Sequence, residues 1–191
     1  MIPFGQDENV KIDQAHAELL KSLVMANKPK DVLELGIGGG VSCDAILSGL
    51  EYNQQPYNFT IVDNWFDWHG QEPAGVREKY GQKAEIITSS EQEFVFGCKK
   101  TFDFIMSDAD HFRADQWFEY VYANLLNNNG ILVYHDVNII EHDFDNLRRI
   151  LYRCQELNLP HKLFNLNSLP TERCQRGLLV IFKSINTLQG P

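Results

Sequence analysis

Val32-Leu33-Glu34-Leu35-Gly36-Ile37-Gly38-Gly39-Gly40-Val41-Ser42 is the stretch on which the fold turns. A short apolar run ends in Leu-Glu-Leu, glycines follow at once, and a helical pattern begins near Val41. That is the first β-strand, turn and helix of a doubly wound α/β sheet, with a ligand expected at the carboxyl edge of the strand. Glycines at such a turn let a ligand approach the backbone where a side chain would block it.

Reading outward, apolar runs alternate with amphipathic stretches from Asp31 to Asp136, the pattern of βαβ units feeding a parallel sheet. Strands are predicted at Asp31–Leu35, Thr60–Asp63 with a possible start at Tyr57, Ala84–Thr88, Phe102–Ser107 and Ile131–His135. Their nearly continuous apolar character suits strands covered on both faces. Helices are predicted at Asp13–Met25, Val41–Leu50, Glu91–Phe96, Ala114–Leu126 and Asp143–Glu156. Within the fourth of these, Trp117 and Tyr120 recur at helical spacing and read as packing residues. Asn127-Asn128-Asn129-Gly130 reads as a turn in which Gly130 supplies a positive φ. His161–Leu166 and Gly177–Lys183 are joined too closely for a typical crossover helix and predict an antiparallel pair at one sheet edge. The expected whole is one Rossmann-like domain, mostly parallel and seven-stranded. It comprises an N-terminal helical segment (1–30), a cofactor-binding core (31–136) and a C-terminal helix with edge strands (137–191).

Charge and composition narrow the function. The net charge of -9, with no basic run longer than Lys99-Lys100 and Arg148-Arg149, disfavours nucleic acid as a partner. No apolar run approaches the ~20 residues that cross a bilayer, and residues Met1–Val10 lack signal-peptide architecture. A cytoplasmic protein with no membrane partner is expected. Cys43, Cys98, Cys154 and Cys174 form no CxxC pair and read as reduced thiols.

A glycine turn alone fits a dinucleotide as well as other nucleosides. Here the third glycine of GxGxxG would fall at position 41, where Val41 stands. Glu34 places a carboxylate two residues before the first glycine, which suits a cationic ligand better than a pyrophosphate. S-adenosylmethionine, with its ammonium and sulfonium groups, matches that charge. Asp63, ending the second strand, is placed to accept hydrogen bonds from ribose hydroxyls.

These residues resemble the class I S-adenosylmethionine-dependent methyltransferases. Glu34-Leu35-Gly36-Ile37-Gly38-Gly39-Gly40 fits their ExGxGxG motif, Asp63 the acidic end of their second strand and Asp108 that of their fourth. The resemblance implies that Glu34 orients the methionine portion of the cofactor, Gly36 and Gly38 line it, Ser42 binds its carboxylate, and Asp63 holds the ribose. Asp108 adjoins the cofactor, and Ser89, Ser90 or Glu91 lies near the adenine. In the following loop, Asn64-Trp65-Phe66-Asp67-Trp68-His69-Gly70, Trp65 or Phe66 can cover the adenine face, or the rings can seal a core edge or a dimer contact.

Ser107-Asp108-Ala109-Asp110-His111 follows the fourth strand, and His135-Asp136 ends the fifth. Neighbouring strand ends bring these groups together, either to hold a divalent ion or to provide an imidazole base. The pattern resembles the small metal-assisted O-methyltransferases of the catechol, caffeoyl-CoA and natural-product sugar types. That resemblance implies a magnesium site at Asp108, His135 and Asp136, although a histidine at 135 departs from the usual carboxylate or Asp-Asn pair and favours softer ions or no metal. It gives the role of base to His111, with His135 second. The bland alternative makes Asp110 or His111 a helix cap and His135 a satisfied interior histidine. His16, His69 and His142 read as surface residues.

The expected activity is methyl transfer to a hydroxyl oxygen of a small molecule. A nicotinamide oxidoreductase and a non-catalytic nucleoside-binding scaffold are the rivals. The Asp13–Met25 helix either closes over substrate or joins two copies into a homodimer.

Overall fold

The computed structural model describes residues 14–66, 69–137, 145–165 and 177–184. Helix α1 (Gln14–Asn27) precedes β1 (Asp31–Leu35), which is followed by α2 (Val41–Asn53), β2 (Asn58–Asp63), α3 (Val76–Tyr80), β3 (Glu85–Thr88) and α4 (Glu91–Gly97). Then come β4 (Phe102–Ser107), a short α5 (Phe118–Tyr120), β5 (Leu126–His135), α6 (Asp145–Glu156), β6 (His161–Phe164) and β7 (Leu178–Phe182). The strands form one sheet in the order β3-β2-β1-β4-β5-β7-β6. Pairing is parallel from β3 through β5, and β7 runs antiparallel to both β5 and β6.

Alternation along the buried strands feeds two cores. Val32, Ile61, Phe104, Met106 and Val133 face α1 and α2, whereas Leu33, Leu35, Ile105, Leu132 and Tyr134 face α4, α5 and α6. Burial of both faces is the main source of stability, at roughly 25 cal/mol per Å² of apolar surface removed from water.

The strand order reverses at β1, which pairs with β2 on one side and β4 on the other. Loops leaving β1 and β4 therefore diverge toward opposite layers and open a crevice above their carboxyl ends. Gly36 sits at its base with φ +86, and a Cβ there would lie 2.7 Å from the Asp108 carbonyl oxygen. Glycine is required on both counts, because no L side chain fits that space or readily adopts that conformation.

Two local expectations are corrected. Asn129, not Gly130, takes the positive φ (φ 65), at the irregular start of β5. Gly130 is needed for space instead, since a Cβ would meet the Asn127 carbonyl oxygen at 2.8 Å. The stretch expected as one helix from Ala114 to Leu126 is composite, a 3₁₀ turn (Ala114–Gln116), α5 and a π turn (Val121–Leu125). Such an end leaves carbonyls without intrahelical partners. Buried Lys183 answers them, its Nζ donating to the carbonyls of Tyr122 (2.8 Å), Ala123 (3.0 Å) and Leu126 (2.7 Å). Helix α3 was not anticipated from the sequence, being five residues long with only Val76 and Tyr80 buried.

Candidate active site

A cavity of about 410 Å³ occupies the crevice, within the size range of small-ligand sites. Gly36, Gly38 and Asp63 form one side, Ser89 and Ser90 continue it, and Asp108 and His111 close the other end. A hollow of similar size at the opposite edge of the sheet is lined by Lys83 and Lys100. Both lysines are paired there, with Glu51 and Glu85, and no catalytic groups converge.

Asp63 is oriented by the backbone. Its Oδ2 accepts from the Ile37 N–H at 2.8 Å and its Oδ1 from the Trp65 N–H at 2.6 Å, which locks the carboxylate against the glycine loop. Each oxygen retains acceptor capacity toward the cavity. Ser90 caps α4, its hydroxyl accepting from the Glu93 N–H at 3.2 Å. Glu91 reaches the cavity wall, but its carboxylate is engaged as a strut. It accepts from Ser107 Oγ, Trp117 Nε1 and the Asp110 N–H, each at 3.0 Å.

Glu34 and Ser42 lie elsewhere than expected. Alternation along β1 turns Glu34 toward α1 and α2, beneath the glycine loop, where it is fully buried. Ser42 Oγ donates to its Oε1 at 2.5 Å, so neither side chain lines the cavity. Burial outweighs the hydrogen bonds from Ser42 and Cys43 and pushes the Glu34 carboxyl up to about 8. The expectation of a fixed negative charge at the cavity mouth is thus corrected. The aromatic loop divides in a similar way. Trp65 is buried, donating from Nε1 to Thr88 Oγ1 at 2.8 Å, while Phe66 stands 81% exposed on the rim opposite exposed Phe112.

The strand ends of β4 and β5 bring the acid and histidine groups together. His111 Nε2 lies 3.1 Å from Asp108 Oδ1 and 3.3 Å from Asp136 Oδ2. His135 Nδ1 lies 3.3 Å from the same Asp108 oxygen and 3.0 Å from Asp136 Oδ1. Asp136 reaches this position with φ 59, a left-handed conformation uncommon outside glycine. Burial alone would lower both imidazoles, but the hydrogen bonds and charges of the two aspartates outweigh it and raise each to about 10. Burial likewise opposes ionisation of the aspartates, and the facing imidazoles overcome it, holding both below the usual carboxylate range. The four groups form a compact, mutually neutralising cluster.

The placement separates the two candidate bases. His111 lines the cavity, whereas His135 is 1% exposed and lies behind the aspartates. Asp110 closes the turn before Ala114 and does not cap the 3₁₀ segment that starts there, its Oδ1 accepting from the N–H groups of Phe112 (3.1 Å) and Arg113 (3.0 Å). The donor atoms of Asp108, His135 and Asp136 all lie within 4.8 Å of one another, a spacing and chemistry that fit a single divalent ion.

His16 does not lie at the surface. It is fully buried on α1, with its Nδ1 3.1 Å from His135 Nε2. The signal was present in the sequence, because position 16 shares a helix face with Leu20 and Val24, which are buried with it. His69 is exposed, and His142 lies outside the described residues. Among the described residues no helix is long and apolar enough to cross a membrane.

Comparison with known proteins places this geometry in context. No curated protein matches the sequence. Solved structures share the fold at low identity. The O-methyltransferase TomG from Streptomyces achromogenes, involved in Tomaymycin synthesis and solved in complex with SAM, aligns with a TM-score of 0.70 and 13% identity over 93% of this chain and 83% of that one. SAH-bound methyltransferase PaMTH1 from Podospora anserina aligns at 0.67 and 17%, covering 92% and 81%. The O-methyltransferase from Bacillus cereus, in complex with SAH, aligns at 0.67 and 17%, covering 91% and 83%. The family model described as "Methyltransferase domain" matches residues 33–137, which contain the glycine loop, Asp63 and the whole acid and histidine cluster except His16. That match takes in more than half of the sequence, and the chain belongs to this methyltransferase-domain family.

Proposed function

We propose that the chain transfers the methyl group of S-adenosylmethionine to a hydroxyl oxygen of a small molecule. The observation that carries this reading is a single cavity with a nucleoside-type wall at one end, Gly36, Gly38 and Asp63, and an acid and histidine cluster at the other. Gly36 and Gly38 line the methionine portion of the donor, Asp63 accepts from the ribose hydroxyls, and Ser89 with Phe66 borders the adenine. Glu34 and Ser42 act from beneath by holding the start of α2 against the loop.

The donor supplies, when bound, an electrophilic methyl carbon on a sulfonium. His111 is the residue placed to take the hydroxyl proton once it has released its own to solvent, because it alone of the two central imidazoles borders the cavity, and the aspartates that raise its affinity for a proton make it a strong base. Asp108 and Asp136 then stabilise the imidazolium that forms. The same two carboxylates and His135 Nδ1 are the candidate holders of a divalent ion, and the imidazole donor favours a first-row transition ion over magnesium. Such an ion supplies, when bound, positive charge that makes a coordinated hydroxyl more acidic.

A small-molecule acceptor suits this chain better than nucleic acid, since its net charge of -9 opposes approach to a phosphate backbone. Calorimetric titration of the full chain with S-adenosylmethionine, S-adenosylhomocysteine and NAD tests the reading. Binding of the first two without the third is expected. Binding of NAD alone, or of none of the three, overturns it.

A further inference from the structure

We propose that His16 is a positioning residue: it accepts the Nε2–H of His135 and so directs the Nδ1 lone pair of His135 toward Asp108 and Asp136, completing the three-donor set. This rests on the metal reading given above and adds to it a residue from α1, which lies outside the family match at 33–137.

Both rings are sealed from solvent, His16 at 0% and His135 at 1% exposure, so each His135 nitrogen needs a partner within the protein or carries a large desolvation cost. His135 Nε2 faces His16 Nδ1 at 3.1 Å, with the rings edge-on at 80°. His135 Nδ1 faces the two aspartates at 3.3 and 3.0 Å.

To ligate an ion His135 must give up one of its two protons, and the neutral imidazole that results carries one donor and one acceptor nitrogen. With the proton on Nδ1, His135 points a hydrogen at the aspartates and contributes no lone pair there. With the proton on Nε2, the lone pair joins the carboxylate oxygens, and Nε2–H needs an acceptor that only a residue behind the ring can provide. His16 Nδ1 occupies that position. Outer partners of this kind fix the tautomer and ring orientation of a ligating histidine.

The local structure suits the task. His16 lies on the face of α1 that carries Ala17, Leu20 and Val24 into the core, and α1 packs against α2. A helix-borne side chain keeps its position more tightly than one on a loop.

The test uses the full chain and Mn²⁺, followed by electron paramagnetic resonance of the free ion, with thermal melting to verify folding. His16→Asn keeps an acceptor near the Nδ1 position, and His16→Leu removes it. His16→Leu is expected to weaken Mn²⁺ binding by about 10- to 100-fold, whereas His16→Asn stays within about threefold of the parent. Should His16→Leu not fold, His16→Gln, whose amide extends toward the Nε2 position instead, is expected to bind as weakly. In the Zn²⁺-loaded parent, long-range ¹H–¹⁵N spectra should show His16 Nδ1 unprotonated and His135 Nε2 protonated. Parent-like Mn²⁺ affinity in His16→Leu, or a proton on His16 Nδ1 in the loaded protein, overturns the role of His16 and leaves the metal reading standing. A parent protein that binds Mn²⁺ no better than Asp136→Asn overturns both.

Discussion

Replacing Glu34 by glutamine should make the protein more resistant to alkaline unfolding. In the folded state burial raises this carboxyl from 4.5 to about 8. The folded chain therefore holds the proton more tightly than the unfolded one. Stability from this group is complete below pH 4.5 and is lost as pH rises through about 8. At about 1.36 kcal/mol per pH unit, the interval sets a ceiling of about 5 kcal/mol, of which about 4 falls between pH 5 and pH 9. The amide cannot ionise, and its carbonyl oxygen can still accept from Ser42, so it escapes that loss. Thermal melts of both proteins at pH 5, 7 and 9 provide the assay, since titration of His111 and His135 is common to the two and cancels in the difference. At about 2–4 °C per kcal/mol, the variant should gain on the parent by about 10 °C between the extremes. A difference in melting temperature that stays flat across this range, or falls, refutes the account of Glu34 as a buried acid.

Three further outcomes follow from the geometry. His111→Ala should bind S-adenosylmethionine within about twofold of the parent while turnover falls by about two orders of magnitude or more, measured by calorimetry beside a methyl-transfer assay. Gly36→Ala drives a Cβ to 2.7 Å from the Asp108 carbonyl at a φ of +86, and urea unfolding should register a loss of about 2 kcal/mol or more together with loss of donor binding. Lys183→Met removes three donated hydrogen bonds from buried carbonyls and should cost about 3 kcal/mol by the same measurement, whereas a loss under about 1 kcal/mol would dismiss the lysine as a cap.

The strand ends were legible because their signals are local. Asp63 follows an apolar run directly, Asp108 and Asp136 stand one residue beyond theirs, and the glycine turn announces where the crevice opens. What the sequence left hidden depends on which way a side chain points or on contacts made far along the chain. Glu34 shares its strand face with Val32, and that alternation already directs it beneath the loop, yet its nearness to the first glycine suggested a place at the mouth. His16 meets a residue 119 positions away, so its helix face revealed burial but not the partner. The broken helix before β5 depends on Lys183, whose part as a terminal clamp has no counterpart in any motif.

Because β7 pairs with β5, Leu178 lies opposite His135, while Lys183 closes the turn that leads into β5. The strand that ends in His135 and leads into Asp136 is therefore flanked by a segment that lies far along the chain from it. A nascent chain can assemble β1 through β4 early, but β5 gains its second neighbour only once residues 178–183 have emerged from the ribosome. Completion of a working centre should consequently be gated by long-range strand pairing rather than by local helix formation.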